Sequence, residues 1–75
     1  MENQHRQIKG YRELNADEIE LMNEIKQTGI ELGNMVERLR SMGHDIDQRW
    51  VSIGATDLQT GLMALTRSVA KPGFF

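Results

Sequence analysis

Between residues 21 and 42 the chain sets Leu21, Ile25, Thr28, Leu32, Met35, Leu39 and Met42 at alternating steps of four and three. That is the seam of a helix packed against another helix, and Met22, Gly29 and Val36 flank it. Ahead of the seam, Asn15-Ala16-Asp17-Glu18 has the form of a capping box, in which the asparagine caps the helix and the glutamate reaches back to the cap's own N–H. Gly43 supplies the stop, so the pattern predicts a helix over about residues 16–42. Farther on, Leu58, Leu62, Leu65 and Val69 recur on one helical face, with Met63 and Ala64 extending the apolar surface beyond a single stripe. Asp45-Ile46-Asp47-Gln48 opens this second helix, which spans about residues 46–71 until Pro72 forbids it. At 1.5 Å per residue the two helices run roughly 40 Å and 37 Å, and matched lengths joined by a tight turn make an antiparallel helical hairpin. Folding about Gly43–His44 sets Lys26 beside Leu62, Arg67 beside Leu21 and Trp50 beside Arg38, within a turn either way. The short segment 1–14 forms a polar helix over Glu2–Lys9 that stops at Gly10, and residues 72–75 are a tail. The expectation is an all-α fold, residues 1–75 forming one hairpin domain without strands.

Composition changes that picture in one respect. A helix that is apolar nearly all round has to be covered on more than one side, and one partner helix cannot do so. The chain has 75 residues and no cysteine; a domain of this size buries little surface, and no disulfide makes up the deficit. Assembly into a homo-oligomer is the remaining staple. Gly54 and Gly61 lie one heptad apart in the second helix, where each costs about 1 kcal/mol against alanine, offset if another helix or a ligand approaches the backbone closely. Net charge is −2, with Glu13, Asp17, Glu18, Glu20 and Glu24 in a block without a base. Such a chain is a poor partner for polymeric DNA or RNA, whose binding rests on many phosphate contacts. The uncharged run from Leu58 to Thr66 falls far short of the roughly 20 residues a bilayer requires, and no signal peptide is visible. A soluble cytoplasmic protein without a membrane partner is expected.

The candidate chemistry is that of a small anion. Arg67 stands between Thr66 and Ser68 after a long uncharged run, and a guanidinium's planar fork suits a phosphate. Glu18, Glu20 or Glu24 neutralising Arg67 is the plain alternative, an ion pair of small worth. Lys26 sits beside Ile25, with Thr28, Gly29 and Gly33 following; it is either a snorkelling side chain or a phosphate contact reached past the glycines. Tyr11 is either a packing residue or a stacking platform for a base. Trp50 is expected as a core anchor near the turn, and Phe74 and Phe75 as a flap over neighbouring surface. Catalysis finds no constellation: His5 and His44 are isolated, Asp45 and Asp47 serve as caps, and no nucleophile has a base. No enzyme activity, metal site or cofactor is expected.

One set of residues goes further. Trp50, Ile53, Gly54, Thr56-Asp57-Leu58-Gln59, Gly61, Met63-Ala64-Leu65, Arg67, Val69-Ala70 and Pro72 together resemble the phage anti-CBASS sponge family, and the resemblance covers both long helices. It implies a helical hairpin assembled into a hexamer that sequesters cyclic oligonucleotides without turnover and starves the host's antiviral effectors. It also implies two pockets. Tyr11 and Lys26 match the one for cyclic dinucleotides such as cyclic GMP-AMP, stacking on a base and pairing with a phosphate. Arg67, with Thr28 and Ser68, matches the one for cyclic trinucleotides. A phage-encoded member would act in the host cytoplasm. The alternative from another class is a structural or adaptor helical module without a small ligand.

Overall fold

The computed structural model describes residues 13–71 and 73. Two long helices carry the fold: α1, Ala16–Ser41, and α2, Gln48–Ala70, joined through a single 3-10 turn at Gly43–Asp45. No strand occurs among the described residues. The expected N-terminal helix, Tyr11, Pro72, Phe74 and Phe75 lie outside the described residues.

α1 starts as its sequence requires. The Glu18 N–H donates to the Asn15 side-chain oxygen at 2.8 Å, and the Asn15 N–H donates to Glu18 Oε1 at 2.9 Å, which closes the capping box. It ends at Met42, followed by Gly43 at φ 58°, a left-handed conformation that glycine adopts without a Cβ clash. The start of α2 differs from expectation. Asp47, not Asp45, is the cap: its carboxylate accepts the Arg49 and Trp50 N–H groups at 3.1 and 3.3 Å. The reason lies in the turn, where the 3-10 winding takes up Gly43–Asp45 before α2 can begin. Gln48 is thereby released from a capping role and ties the turn instead. Its Nε2 donates to the Leu39 carbonyl at 2.9 Å and to the Gly43 carbonyl at 3.0 Å, a second bond for each, since these carbonyls also accept the Met42 and Ile46 N–H groups.

The antiparallel alignment follows the expected one within a turn. Glu18 pairs with Lys71 at the open end, and a Cβ on Gly29 would meet Leu62 Cδ1 at 3.3 Å. The seam of α1, however, runs in a different phase. Met22, Ile25, Gly29, Leu32, Val36 and Leu39 are half-buried, while Leu21, Thr28, Met35 and Met42 are exposed. Gly29 explains the choice, because its missing side chain lets Leu62 enter and turns that edge of α1 toward α2.

Little is covered by this contact. Val51, beside the turn, is the one buried residue among those described, at 9% exposure. Trp50, expected as a core anchor, is 60% exposed, and the Arg49 guanidinium lies 5.5 Å from its ring centroid. Its position next to Val51 on a helix turns it about 100° away from the seam. Met63 and Leu65 are 71% and 54% exposed, as the over-apolar α2 implied. The hairpin is a rod of 51 × 24 × 21 Å with a radius of gyration of 16.6 Å, against roughly 11 Å for a compact domain of this length.

Candidate functional site

The seam ends in a shallow groove toward the open end of the hairpin. One wall comes from α1 through Met22, Ile25, Lys26 and Gly29; the other comes from α2 through Leu62, Met63, Thr66, Arg67 and Ala70. Its volume is about 660 Å³. Gly29 contributes no side chain, and the methionines and leucine make an apolar floor between two cationic groups, Lys26 and Arg67. Both cations belong to exposed residues. A groove of this kind offers apolar area to a flat ring system and positive charge to an anion at either wall.

The residues singled out from the sequence fall on different parts of the hairpin surface. Lys26 and Arg67 line this groove together. Thr28 does not: it lines a smaller concavity of about 250 Å³ with Leu21, Glu24, Ile25, Leu62 and Leu65. The Glu24 carboxylate in that lining disfavours a phosphate held by this surface alone. Ser68 is exposed, and its hydroxyl donates to the Leu65 carbonyl at 2.6 Å. Thr66 shares the groove with Arg67, but its hydroxyl donates to the Leu62 carbonyl at 2.9 Å. Adjacency in sequence was therefore a poor guide to adjacency in space. Consecutive helical residues point about 100° apart, so Thr66, Arg67 and Ser68 do not share one face. Tyr11 lies outside the described residues.

Of the carboxylates weighed as partners for Arg67, Glu18 reaches Lys71 Nζ at 3.6 Å. Sequence reasoning missed that pair, as well as Met22 and Met63 in the groove. The antiparallel alignment carried the signal for Met22, since it sets the first turns of α1 against the last turns of α2. A further concavity, polar in lining and of about 220 Å³, includes Gly33, Glu37, Arg40, Thr56 and Gln59. Its arginine is already engaged by Glu37 at 3.4 Å. No group of histidine and carboxylate side chains capable of holding a metal occurs among the described residues. No helix among them is long and apolar enough to cross a membrane.

With the groove and its two cations located, the chain can be set beside known proteins. The family model for the Acb2/Tad1 hairpin domain matches residues 3–70. Anti-CBASS protein 2 of Pseudomonas phage JBD67 is 35% identical in an alignment that covers 96% of this chain and 97% of that relative.

Proposed function

The chain belongs to the Acb2/Tad1 hairpin-domain family, and from that membership we propose that it antagonises CBASS immunity by binding and sequestering cyclic oligonucleotides without converting them. The observation that carries this reading is the apolar groove with Lys26 and Arg67 on opposite walls. Cyclic oligonucleotides combine flat bases with a ring of phosphodiesters, and each of the two cations offers such a ligand positive charge beside apolar surface. A sequestering protein needs affinity rather than turnover. Nanomolar capture corresponds to about −12 kcal/mol, within reach of charge-assisted bonds and stacked bases.

The assembled form we propose is a homo-oligomer, a hexamer in the family's manner, acting in the host cytoplasm. Two pockets serve two ligand classes: Tyr11 and Lys26 hold cyclic dinucleotides, and Arg67 with Thr28 and Ser68 holds cyclic trinucleotides. Within one chain Thr28 and Arg67 line different concavities. A trinucleotide site that uses both is therefore completed by a neighbouring copy. For Tyr11 and Lys26, fifteen positions apart in the sequence, we propose the same sharing between copies.

The test is a thermal-shift titration with cyclic GMP-AMP and with cyclic triadenylate, followed by recovery of ligand from heat-denatured complex. A ligand at a hundred times its dissociation constant stabilises by about 2.7 kcal/mol, so a clear upward shift is expected and the ligand returns intact. Linear product accumulating with time would identify an enzyme instead. The second reading, an adaptor module, is favoured by the exposed Met63 and Leu65; it predicts no response to either ligand.

A further inference from the structure

At the open end of the hairpin, Lys71 closes α2 in the left-handed conformation, φ 45° and ψ 60°, and its N–H donates to the Arg67 carbonyl at 2.8 Å. It is the one non-glycine residue with positive φ among those described. Glycine adopts this conformation without strain, whereas the Cβ of an L-residue crowds a backbone carbonyl oxygen. A lysine where glycine would be unstrained points to a use for the side chain. That side chain crosses to α1, where Nζ stands 3.6 Å from Glu18 Oε2. The Glu18 carboxylate is itself fixed: its side chain is 13% exposed, and its other oxygen accepts the Asn15 N–H of the capping box.

These contacts bracket the groove. Met22 lies one turn along α1 from Glu18, and Arg67 lies one turn before Lys71 on α2, with Ala70 between them. We infer that the Glu18–Lys71 pair is a clasp that positions Arg67 for its anionic ligand. It fixes the separation of the two helices at the mouth of the groove, and the backbone bond from the Lys71 N–H to the Arg67 carbonyl ties the clasp residue to the turn that carries Arg67. Neither clasp residue lines the groove. The inference rests on the sequestration reading and adds to it the residues that hold one of its cations in place.

Lys71→Gly separates positioning from stability. The substitution relieves the left-handed backbone, so the ligand-free hairpin keeps or raises its thermal midpoint, while the clasp is lost. Affinity for cyclic triadenylate, measured by calorimetry, is expected to fall about threefold, in keeping with the worth of a partly exposed ion pair. Glu18→Gln keeps a side chain able to complete the capping box and is expected to lose affinity similarly. Lys71→Arg restores the cation and is expected to bind as the parent does. Equal affinity of the parent, Lys71→Gly and Glu18→Gln overturns the clasp while leaving sequestration standing. Affinity that tracks the thermal midpoint through the whole series also overturns it. Failure of the unsubstituted protein to bind either cyclic triadenylate or cyclic GMP-AMP overturns the sequestration reading and the clasp with it.

Discussion

Lys26 and Arg67 line one groove in the single chain, although they are proposed to serve different ligands, and substitution separates the two roles. Arg67→Ala is expected to weaken cyclic triadenylate binding by tenfold or more, on the order of the 1.5–3 kcal/mol that a hydrogen bond to a charged group contributes, and to leave cyclic GMP-AMP binding nearly intact. Tyr11→Ala is expected to do the reverse, because it removes a stacking platform worth about 1–3 kcal/mol per base. Calorimetry with both ligands on both variants decides it, and equal losses for both ligands in an intact assembly would merge the two pockets into one. At this scale the sequence was informative about chemistry and poor about neighbours. The charge of Arg67 and the hydroxyls beside it were plain, but the helix directs those hydroxyls to its own carbonyls at Leu62 and Leu65. Glu18, weighed as a partner for Arg67, pairs with Lys71, a contact at the helix end that the sequence pattern did not point to.

At the scale of the helix, most of what could be read was read. The capping box at Asn15 and the stop at Gly43 stand where the sequence put them, since each follows from local hydrogen bonding. The phase of the seam was not legible, for a physical reason. Ile25, Leu32 and Leu39 belong to both phases, and either the edge of Leu21 and Met35 or that of Met22 and Val36 completes a heptad stripe. Only the close approach of Leu62 to Gly29 decides between them. The turn yields its own expectation. Gln48→Ala removes both hydrogen bonds that tie α2 to the end of α1, and should cost about 1–2 kcal/mol, read as a lower midpoint in urea. Gly61 gives an opposite kind of test. A Cβ there meets nothing within 4 Å in the single chain, so Gly61→Ala should stabilise the separated hairpin by up to about 1 kcal/mol through helix propensity. If another copy packs against that backbone, the same methyl group weakens assembly, seen as a shift to smaller species in sedimentation. Unchanged sedimentation would mean that no helix approaches Gly61.

The whole molecule is a rod with one buried residue, Val51, among those described. Surface of the kind presented by Met63 and Leu65 has to be covered if so thin a structure is to persist. Light scattering at micromolar concentration is expected to report an oligomer, and Leu65→Glu to drive it toward smaller species by placing a charge on that face. A stable folded monomer of the unsubstituted chain would refute the assembly.

The tie that Gln48 makes has a further consequence, one of order in time. Its two bonds and the buried Val51 both sit at the turn end of the rod, whereas the opposite end is joined by an ion pair whose lysine is largely exposed. A hairpin built this way closes like a zipper from the turn, because contacts between residues near in sequence form at the least cost in chain entropy. Opening is expected to start at the other end, where the Glu18–Lys71 pair is the clasp that works against it. Hydrogen exchange should therefore form a gradient, slow for amides near Leu39 and Val51 and fast near Met22 and Thr66. A bound cyclic oligonucleotide would flatten that gradient from the fast end, and its capture would register as slowed exchange in the part of the rod that the turn holds least.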